Sequence, residues 1–249
     1  MANGMKIELN QTTAVVLAGG FGTRIKHLLP EIPKPMAMVA GRPFLEWVVR
    51  YLAKQGIRRV VMSTGYRAEV IERHFQSLPV PGVEVTCVLE ASPLGTGGGF
   101  LHAARTQGDL PPAWLILNGD SLVFANLLEA ATLLSESRTE GVIVGRAVED
   151  ASRFGTLAIG PQGQLLRFEE KRPGQGVING GVYLLRHSLL QKFPSQIPLS
   201  LERDVFPLLI AAGYKLKVAP TSAPFLDIGT PESLPQADAF IQENLFEFV

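Results

Sequence analysis

The stretch Ala14-Val15-Val16-Leu17-Ala18-Gly19-Gly20-Phe21-Gly22-Thr23-Arg24 decides the fold. Its first four residues are apolar and lack a helical period, which predicts a strand buried on both faces. The strand runs straight into a loop in which Gly19, Gly20 and Gly22 free the backbone to turn at positive φ and bring N–H groups close to a bulky acceptor. Thr23 adds a hydroxyl and Arg24 a permanent forked cation. The combination predicts a phosphate site. It is not the dinucleotide fingerprint, which would need glycine where Ile25 stands, nor the P-loop of kinases and ATPases. Ten residues beyond Arg24, Pro33-Lys34-Pro35-Met36 is expected to run extended between its prolines, presenting Lys34 on a stiff arm. Taken alone, the stretch also reads as a glycine turn with a solvated arginine and lysine.

The rest of the composition narrows the choice. At 249 residues the chain is one large domain or a domain with a lobe, and 46% apolar with 18% charged residues makes it globular, not disordered. Lysine plus arginine and aspartate plus glutamate number 23 each, so a phosphate ligand must be gripped locally, and nucleic acid and anionic membranes are not expected partners. The one cysteine, Cys87, excludes an internal disulfide and sits in an apolar alternation, as a core residue would. The N-terminal residues carry no signal-peptide core, and no run approaches the roughly 20 apolar residues that span a bilayer. A cytoplasmic protein is expected.

In chain order, apolar residues at 44, 45, 48, 49 and 52 predict a helix ending at Gly56. Arg59–Thr64 reads as a strand, Ala68–Phe75 as a helix and Val83–Glu90 as a strand. This βαβαβ alternation predicts an α/β fold with a largely parallel sheet and helices on both faces. Glu90-Ala91-Ser92-Pro93-Leu94-Gly95-Thr96-Gly97-Gly98-Gly99 then opens a helix whose first N–H groups are expected to face outward. Trp114–Asp120 reads as a fourth buried strand whose C-terminal end carries a carboxylate. Ligands of such sheets lie beyond the strand C-termini, so the loop at 19–24, the loop at 90–99 and Asp120 should converge. Leu127–Ser135 reads as a helix and Gly141–Val144 as a strand. Phe154–Ile159 and Leu165–Lys171 predict a hairpin about a Gly-Pro-Gln-Gly turn. Val177–Leu185 is a strand with a polar, glycine-rich middle at Asn179-Gly180-Gly181, as where a ligand approaches backbone. A helix over Leu201–Ala212, a strand over Tyr214–Pro220, a second strand-end carboxylate at Asp227 and a helix over residues 233–244 complete the chain. The four histidines, lacking ligand spacing, read as surface residues.

LAGGFGTR, PKPM, EASPLGTGGG, LNGD, FGT, FEEK, INGGVYLL and FLDIGTPE follow one another in the order found in the sugar-1-phosphate nucleotidylyltransferases, which the chain resembles over nearly its whole length. The PLGTGGG, INGGVYLL and DIGTPE forms look most like the D-glycero-D-manno-heptose 1-phosphate guanylyltransferases, with the mannose 1-phosphate guanylyltransferases close behind. Ile25 departs conservatively from the family's usual leucine. The resemblance implies a Rossmann-like, mostly parallel central sheet with helices on both faces, of the glycosyltransferase-A-like kind, plus a small β-rich sugar-binding lobe. It implies one unit over 1–249: a nucleotide-binding part near 12–145, a sugar-binding part near 146–232 and a C-terminal helix at 233–249.

The implied reaction is attack of a sugar 1-phosphate on the α-phosphorus of a nucleoside triphosphate. Two polyanions meet, so catalysis is mainly charge neutralisation and alignment. By resemblance, Arg24, Lys34, Asp120 and Asp227 are catalytic, Arg24 at the β/γ-phosphates and Lys34 at the α-phosphate. Leu17, Ala18, Gly19, Gly20, Gly22, Thr23, Arg24, Glu90, Gly95 and Thr96 bind the nucleotide. Asn118, Gly155, Glu169, Lys171, Asn179 and Gly180 bind the sugar phosphate. Asp120 and Asp227 hold Mg²⁺, the expected cofactor; as residues alone they also read as ordinary turn aspartates. Glu169 and Lys171 alone would serve equally as an ion pair on a solvated hairpin. Glu90 ends a strand where the family reads the base, and a carboxylate accepts both N1–H and N2–H of guanine, which favours GTP. Mannose 1-phosphate with GTP, or N-acetylmuramate or glucose 1-phosphate with UTP, remain alternatives among enzymes. A non-catalytic sugar-nucleotide sensor is the alternative outside them, and a dehydrogenase is disfavoured by the missing fingerprint. A heptose substrate would place the product, GDP-heptose, as a donor for bacterial surface glycans such as lipopolysaccharide. A homo-oligomer is left open.

Overall fold

The computed structural model describes residues 6–20, 22, 25, 27–29, 31–152, 155–169 and 173–248. Its elements in order are β1 (Thr13–Ala18), β2 (Met38–Val39), β3 (Arg42–Pro43), α1 (Phe44–Lys54), β4 (Arg59–Thr64), α2 (Ala68–Ser77), β5 (Glu84–Leu89), α3 (Gly95–Arg105), β6 (Ala113–Asn118), β7 (Ser121–Val123) and α4 (Leu127–Ser135). The second half contributes β8 (Thr139–Val148), β9 (Thr156–Ile159), β10 (Leu165–Glu169), β11 (Gly176–Arg186), α5 (Phe206–Ala211), β12 (Lys215–Thr221), β13 (Phe225–Asp227) and α6 (Ala237–Glu243).

The main sheet runs β10-β9-β11-β6-β1-β4-β5, with β8 paired to β11 and β12 to β8. β5, β4, β1 and β6 are mutually parallel, as the βαβ alternation requires. β11 enters beside β6 in the opposite direction, pairing Val182 with Leu117 and Arg186 with Ala113. Side chains alternate between two cores. Ala14, Val16, Leu115, Leu117, Val182 and Leu184 face one, with α1, α2, α4 and α6. Val15, Trp114, Ile116, Tyr183 and Leu185 face the other, with α3 and α5. Burial on both faces explains why these strands are continuous apolar runs.

Proline shortens two of the expected helices. Leu201–Val205 is a single π turn, with the Val205 N–H donating to Ser200 O, before α5 carries Pro207 in its first turn. Pro207 has no N–H to continue the ladder back into that turn. Pro235 confines Leu234–Gln236 to a 3₁₀ turn, so the last α-helix starts at Ala237 rather than 233. Among the described residues, no helix is long and apolar enough to cross a membrane.

Two histidines are not surface residues. His187 accepts from Trp114 Nε1 at 2.9 Å. His74 Nε2 lies 3.0 Å from Glu46, a carboxylate only 3% exposed that also accepts from Arg42 (2.6 Å) and Arg50 (2.9 Å). Burial pushes the Glu46 carboxyl up, but hydrogen bonds and charge from Arg50 and Arg42 outweigh it and hold it below its ordinary 4.5. A depressed folded value contributes stability above pH 4.5 that is lost as pH falls through that lower value. Glu46→Gln is therefore expected to cost about 2 kcal/mol at pH 7, with the deficit in thermal midpoint closing as pH drops below that ordinary value. A deficit independent of pH would overturn this account. Cys87 is half-buried, and burial with nearby Glu72 pushes its thiol up to about 11, which keeps it protonated.

Candidate active site

β1 feeds β4 on one side, and the chain later returns to β6 on its other side, so the topological switch lies between β1 and β6. Ligands of open α/β sheets collect beyond the strand C-termini at this point. A cleft of ≈ 450 Å³ lies there, lined by Leu17, Ala18, Gly19, Gly20, Gly22, Lys34, Pro35, Glu90, Pro93, Gly95, Thr96, Asn118, Asp120 and Gly229. The loop after β1, the turn before α3 and Asp120 thus converge as expected. Thr23, Arg24 and Lys171 lie outside the described residues, as does Phe154 of the FGT motif. Ile25 is 1% exposed and anchors the end of the glycine loop in the interior.

Lys34 is the buried cation of this cleft, its side chain 7% exposed. Its segment is not extended: Lys34–Met36 is a 3₁₀ turn in which Met36 N–H donates to Pro33 O and Ala37 N–H to Lys34 O. Pro35 does not oppose this, because its fixed φ suits a turn position whose N–H is not needed. The Lys34 ammonium donates to Asp120 Oδ2 at 2.6 Å and lies 3.7 Å from Asp227 Oδ1. The two aspartates meet because β7 and β13 pair, Asp227 opposite Ser121, while Ile228 N–H donates to Asp120 O. Asp227 also serves its turn, accepting Gly229 N–H at 2.6 Å. Its turn role and its place opposite Lys34 coexist.

Several glycines answer to neighbours within the protein. A Cβ at Gly19 would stand 2.8 Å from Glu90 Oε1, and one at Gly99 2.7 Å from the same atom. The Glu90 carboxylate is wedged between the two, accepting from Ser63 Oγ at 2.6 Å and from Leu94 N–H at 3.2 Å. Sequence reading missed Ser63, which is 0% exposed; its only signal is a hydroxyl near the end of an apolar strand. The start of α3 is not wholly open, because the Gly97 and Gly98 N–H groups both donate to Leu199 O. Thr96 Oγ1 is likewise engaged, donating to Glu202 Oε2 (3.0 Å) and accepting from Leu201 N–H (2.8 Å).

Of the expected sugar residues that are described, Asn118 ends β6, Gly155 precedes β9, Glu169 ends β10, and Asn179 and Gly180 lie in β11. Gly181 adopts φ +71°, and a Cβ there would meet Asn118 Nδ2 at 2.7 Å, which seats β11 against the cleft wall. The pairing of β11 with β8 slips between Asn179 and Tyr183, so Asn179-Gly180 is a bulge within a strand, not a hairpin turn. Gly180 packs over Val144 O and Gly155 over Glu169 O. Glu169 pairs with Arg167, two residues before it on β10; the ion pair with Lys171 that the sequence also left open falls on a residue outside the described ones. Asn118 lines the cleft; Gly155, Glu169, Asn179 and Gly180 are not among its lining residues.

This layout has known counterparts. Residues 13–244 match the family model described as nucleotidyl transferase. The chain belongs to that family. This nucleotidyl transferase is 34% identical, over 88% of its length and 95% of the relative's, to D-glycero-alpha-D-manno-heptose 1-phosphate guanylyltransferase of Campylobacter jejuni. It is 32% identical to the protein of the same name from Aneurinibacillus thermoaerophilus, over 93% and 99%. Mannose-1-phosphate guanylyltransferase of Mycobacterium tuberculosis is 33% identical over 92% of this chain but 64% of its own. The crystal structure of HddC from Yersinia pseudotuberculosis superposes with TM-score 0.79 at 32% identity, covering 92% of this chain and 98% of that one; a second, complexed with GMP-PN, gives 0.77.

Proposed function

We propose that the chain transfers the nucleotidyl group of GTP to D-glycero-D-manno-heptose 1-phosphate, giving GDP-heptose and pyrophosphate. One observation carries the reaction type: a buried ammonium set against two strand-end carboxylates in a glycine-walled cleft at the switch point of the sheet. In the reaction a phosphate oxygen of the sugar 1-phosphate forms a bond to the α-phosphorus, and the bond from that phosphorus to the bridging oxygen breaks as pyrophosphate leaves. Lys34 neutralises charge on the α-phosphoryl oxygens, and the backbone of Gly19, Gly20 and Gly22 shapes the wall for the triphosphate. Arg24 is assigned to the departing phosphates by the family motif alone.

Asp120 and Asp227 fit Mg²⁺. Both supply hard oxygen donors, and the Lys34 ammonium between them marks a position where a cation faces both. No cluster of three or more histidine, cysteine or acidic residues among the described residues could hold a metal by itself, so phosphate and water would complete the shell. Bound there, the ion would offset phosphate charge.

Heptose is put before mannose on the PLGTGGG, INGGVYLL and DIGTPE forms of the sequence and on the 34% identity to the heptose-named relative, with the mannose-named one beside it at 33%. The test is pyrophosphate release from GTP, UTP, dTTP, CTP and ATP against heptose 1-phosphate and mannose 1-phosphate, with Mg²⁺ and with EDTA. Mg²⁺-dependent release from GTP and heptose 1-phosphate is the expected result. Faster release with mannose 1-phosphate would select that sugar, and none from any pair would leave a nucleotide sensor. Glu90→Gln should lower the preference for GTP over UTP in kcat/KM by roughly tenfold, the worth of one charged hydrogen bond. An unchanged preference would remove Glu90 from base choice.

A further inference from the structure

A run of hydrogen-bonding side chains leads from α3 to β11, and the direction of each of its bonds is fixed. Gly181 N–H donates to Asn179 Oδ1 at 3.0 Å, and because an N–H can face only the oxygen end of the carboxamide, the amide orientation is fixed. Asn179 Nδ2 therefore donates to Tyr183 OH at 2.7 Å, and the Tyr183 hydroxyl must send its own proton elsewhere. It goes to Glu202 Oε1 at 2.7 Å. The other Glu202 oxygen accepts from Thr96 Oγ1 at 3.0 Å and Ser200 Oγ at 2.8 Å. Both hydroxyls also accept, Thr96 from Leu201 N–H and Ser200 from Arg203 N–H, and because a carboxylate has no proton to give, each must donate toward Glu202. Tyr183 is 0% exposed, and burial with the Glu202 charge holds its phenol far above the ordinary range, so it always donates.

The bulge at Gly180-Gly181 lets Asn179 reach the hydroxyl of Tyr183 four residues on, while Gly181 abuts Asn118 of the cleft. Asn179 keeps one N–H and one Oδ1 lone pair beyond these bonds. A sugar hydroxyl pair meeting that edge must accept at one position and donate at the other. Neither Tyr183 nor Glu202 needs to touch the sugar to impose this.

We infer that Tyr183 and Glu202 are positioning residues that hold the nitrogen end of the Asn179 carboxamide while Gly181 N–H holds its oxygen end, and that this two-point grip sets which sugar stereoisomer is accepted. The inference rests on the sugar-1-phosphate reading above. With Tyr183→Phe the amide loses the partner of its nitrogen end and is held at its oxygen end alone; with Glu202→Gln the Tyr183 hydroxyl loses its charged acceptor and no longer holds that end firmly.

The experiment compares kcat/KM for mannose 1-phosphate and glucose 1-phosphate, which differ at one hydroxyl, with saturating GTP in wild type, Tyr183→Phe and Glu202→Gln. The expected result is a fall of about tenfold in the epimer preference for both variants, a raised sugar KM, and a GTP KM within about twofold of wild type. Thermal midpoints and the Glu202→Asp variant, which keeps the charge and should retain most of the preference, separate positioning from general loss of structure. An epimer preference unchanged in Tyr183→Phe would overturn the inference while leaving the enzyme reading intact. So would both sugars weakening in equal proportion together with GTP. Wild-type protein inert toward every sugar phosphate would remove both.

Discussion

Lys34→Met is expected to lower kcat by roughly a hundred- to a thousandfold, the scale on which a single preorganised charge stabilises a transition state. The ammonium is buried and aimed at the position that two carboxylates share, carried there by a 3₁₀ turn. Methionine keeps the length and apolar stem of the lysine, which packs under Gly22, and removes only the charge. The KM for GTP should change less than kcat, because the charge matters most while the α-phosphorus is five-connected. Pyrophosphate release under single-turnover conditions separates the two quantities. Turnover within tenfold of wild type would show that Lys34 serves the carboxylates and not the reacting phosphate.

Gly95→Ala should produce the largest loss of stability. Gly95 sits at φ +77°, and a Cβ there would stand 2.5 Å from Leu199 O and 3.0 Å from Leu199 C and N. The left-handed conformation costs an L-residue about 1–2 kcal/mol; the clash is with backbone, which cannot rotate away as a side chain could. Leu199 O also receives the Gly97 and Gly98 N–H groups, so any shift breaks bonds at the start of α3. A total of at least about 3 kcal/mol is expected, or roughly 6–12 °C in thermal midpoint for a chain of this size. Gly82→Ala is the control, with φ +76° and nothing within 4 Å; it should show the strain alone. Equal losses in the two variants would mean that Leu199 yields freely.

The parallel half of the sheet was legible because strands buried on both faces carry unbroken apolar runs, as the middles of β1, β4 and β6 do. The convergence of Gly19–Gly22, Glu90 and Asp120 followed from the rule that strands of one direction end on one edge. The reversal of β11 was not legible, since a buried strand carries the same side-chain pattern whichever way it runs. Glycine positions were readable, but their reasons were only partly so: Gly95 and Gly19 yield to Leu199 and Glu90, contacts made by residues distant in sequence. Tyr183 in an apolar strand reads as core, and Glu202 in a helical segment reads as surface. Only their meeting turns them into one hydrogen-bonded chain. Lys34 shows the reverse case: its importance was clear from two flanking prolines, although the turn they form differs from the extended arm expected.

The seam where β11 meets β6 has a consequence for recombination. From Val182 to Arg186 the two strands are joined by main-chain pairing, with apolar side chains above and below for most of its length, whereas Gly176–Asn179 pairs instead with β8 and β9. Backbone pairing is indifferent to which apolar side chain sits on it. Two breakpoints, one at this seam and one before the hairpin, would let the hairpin and the first half of β11 pass between relatives as a cassette while the glycine loop, Lys34 and both aspartates stay in their original frame. Substrate repertoires in such a fold can diversify by exchange of a short segment, without re-evolving the machinery that handles phosphate.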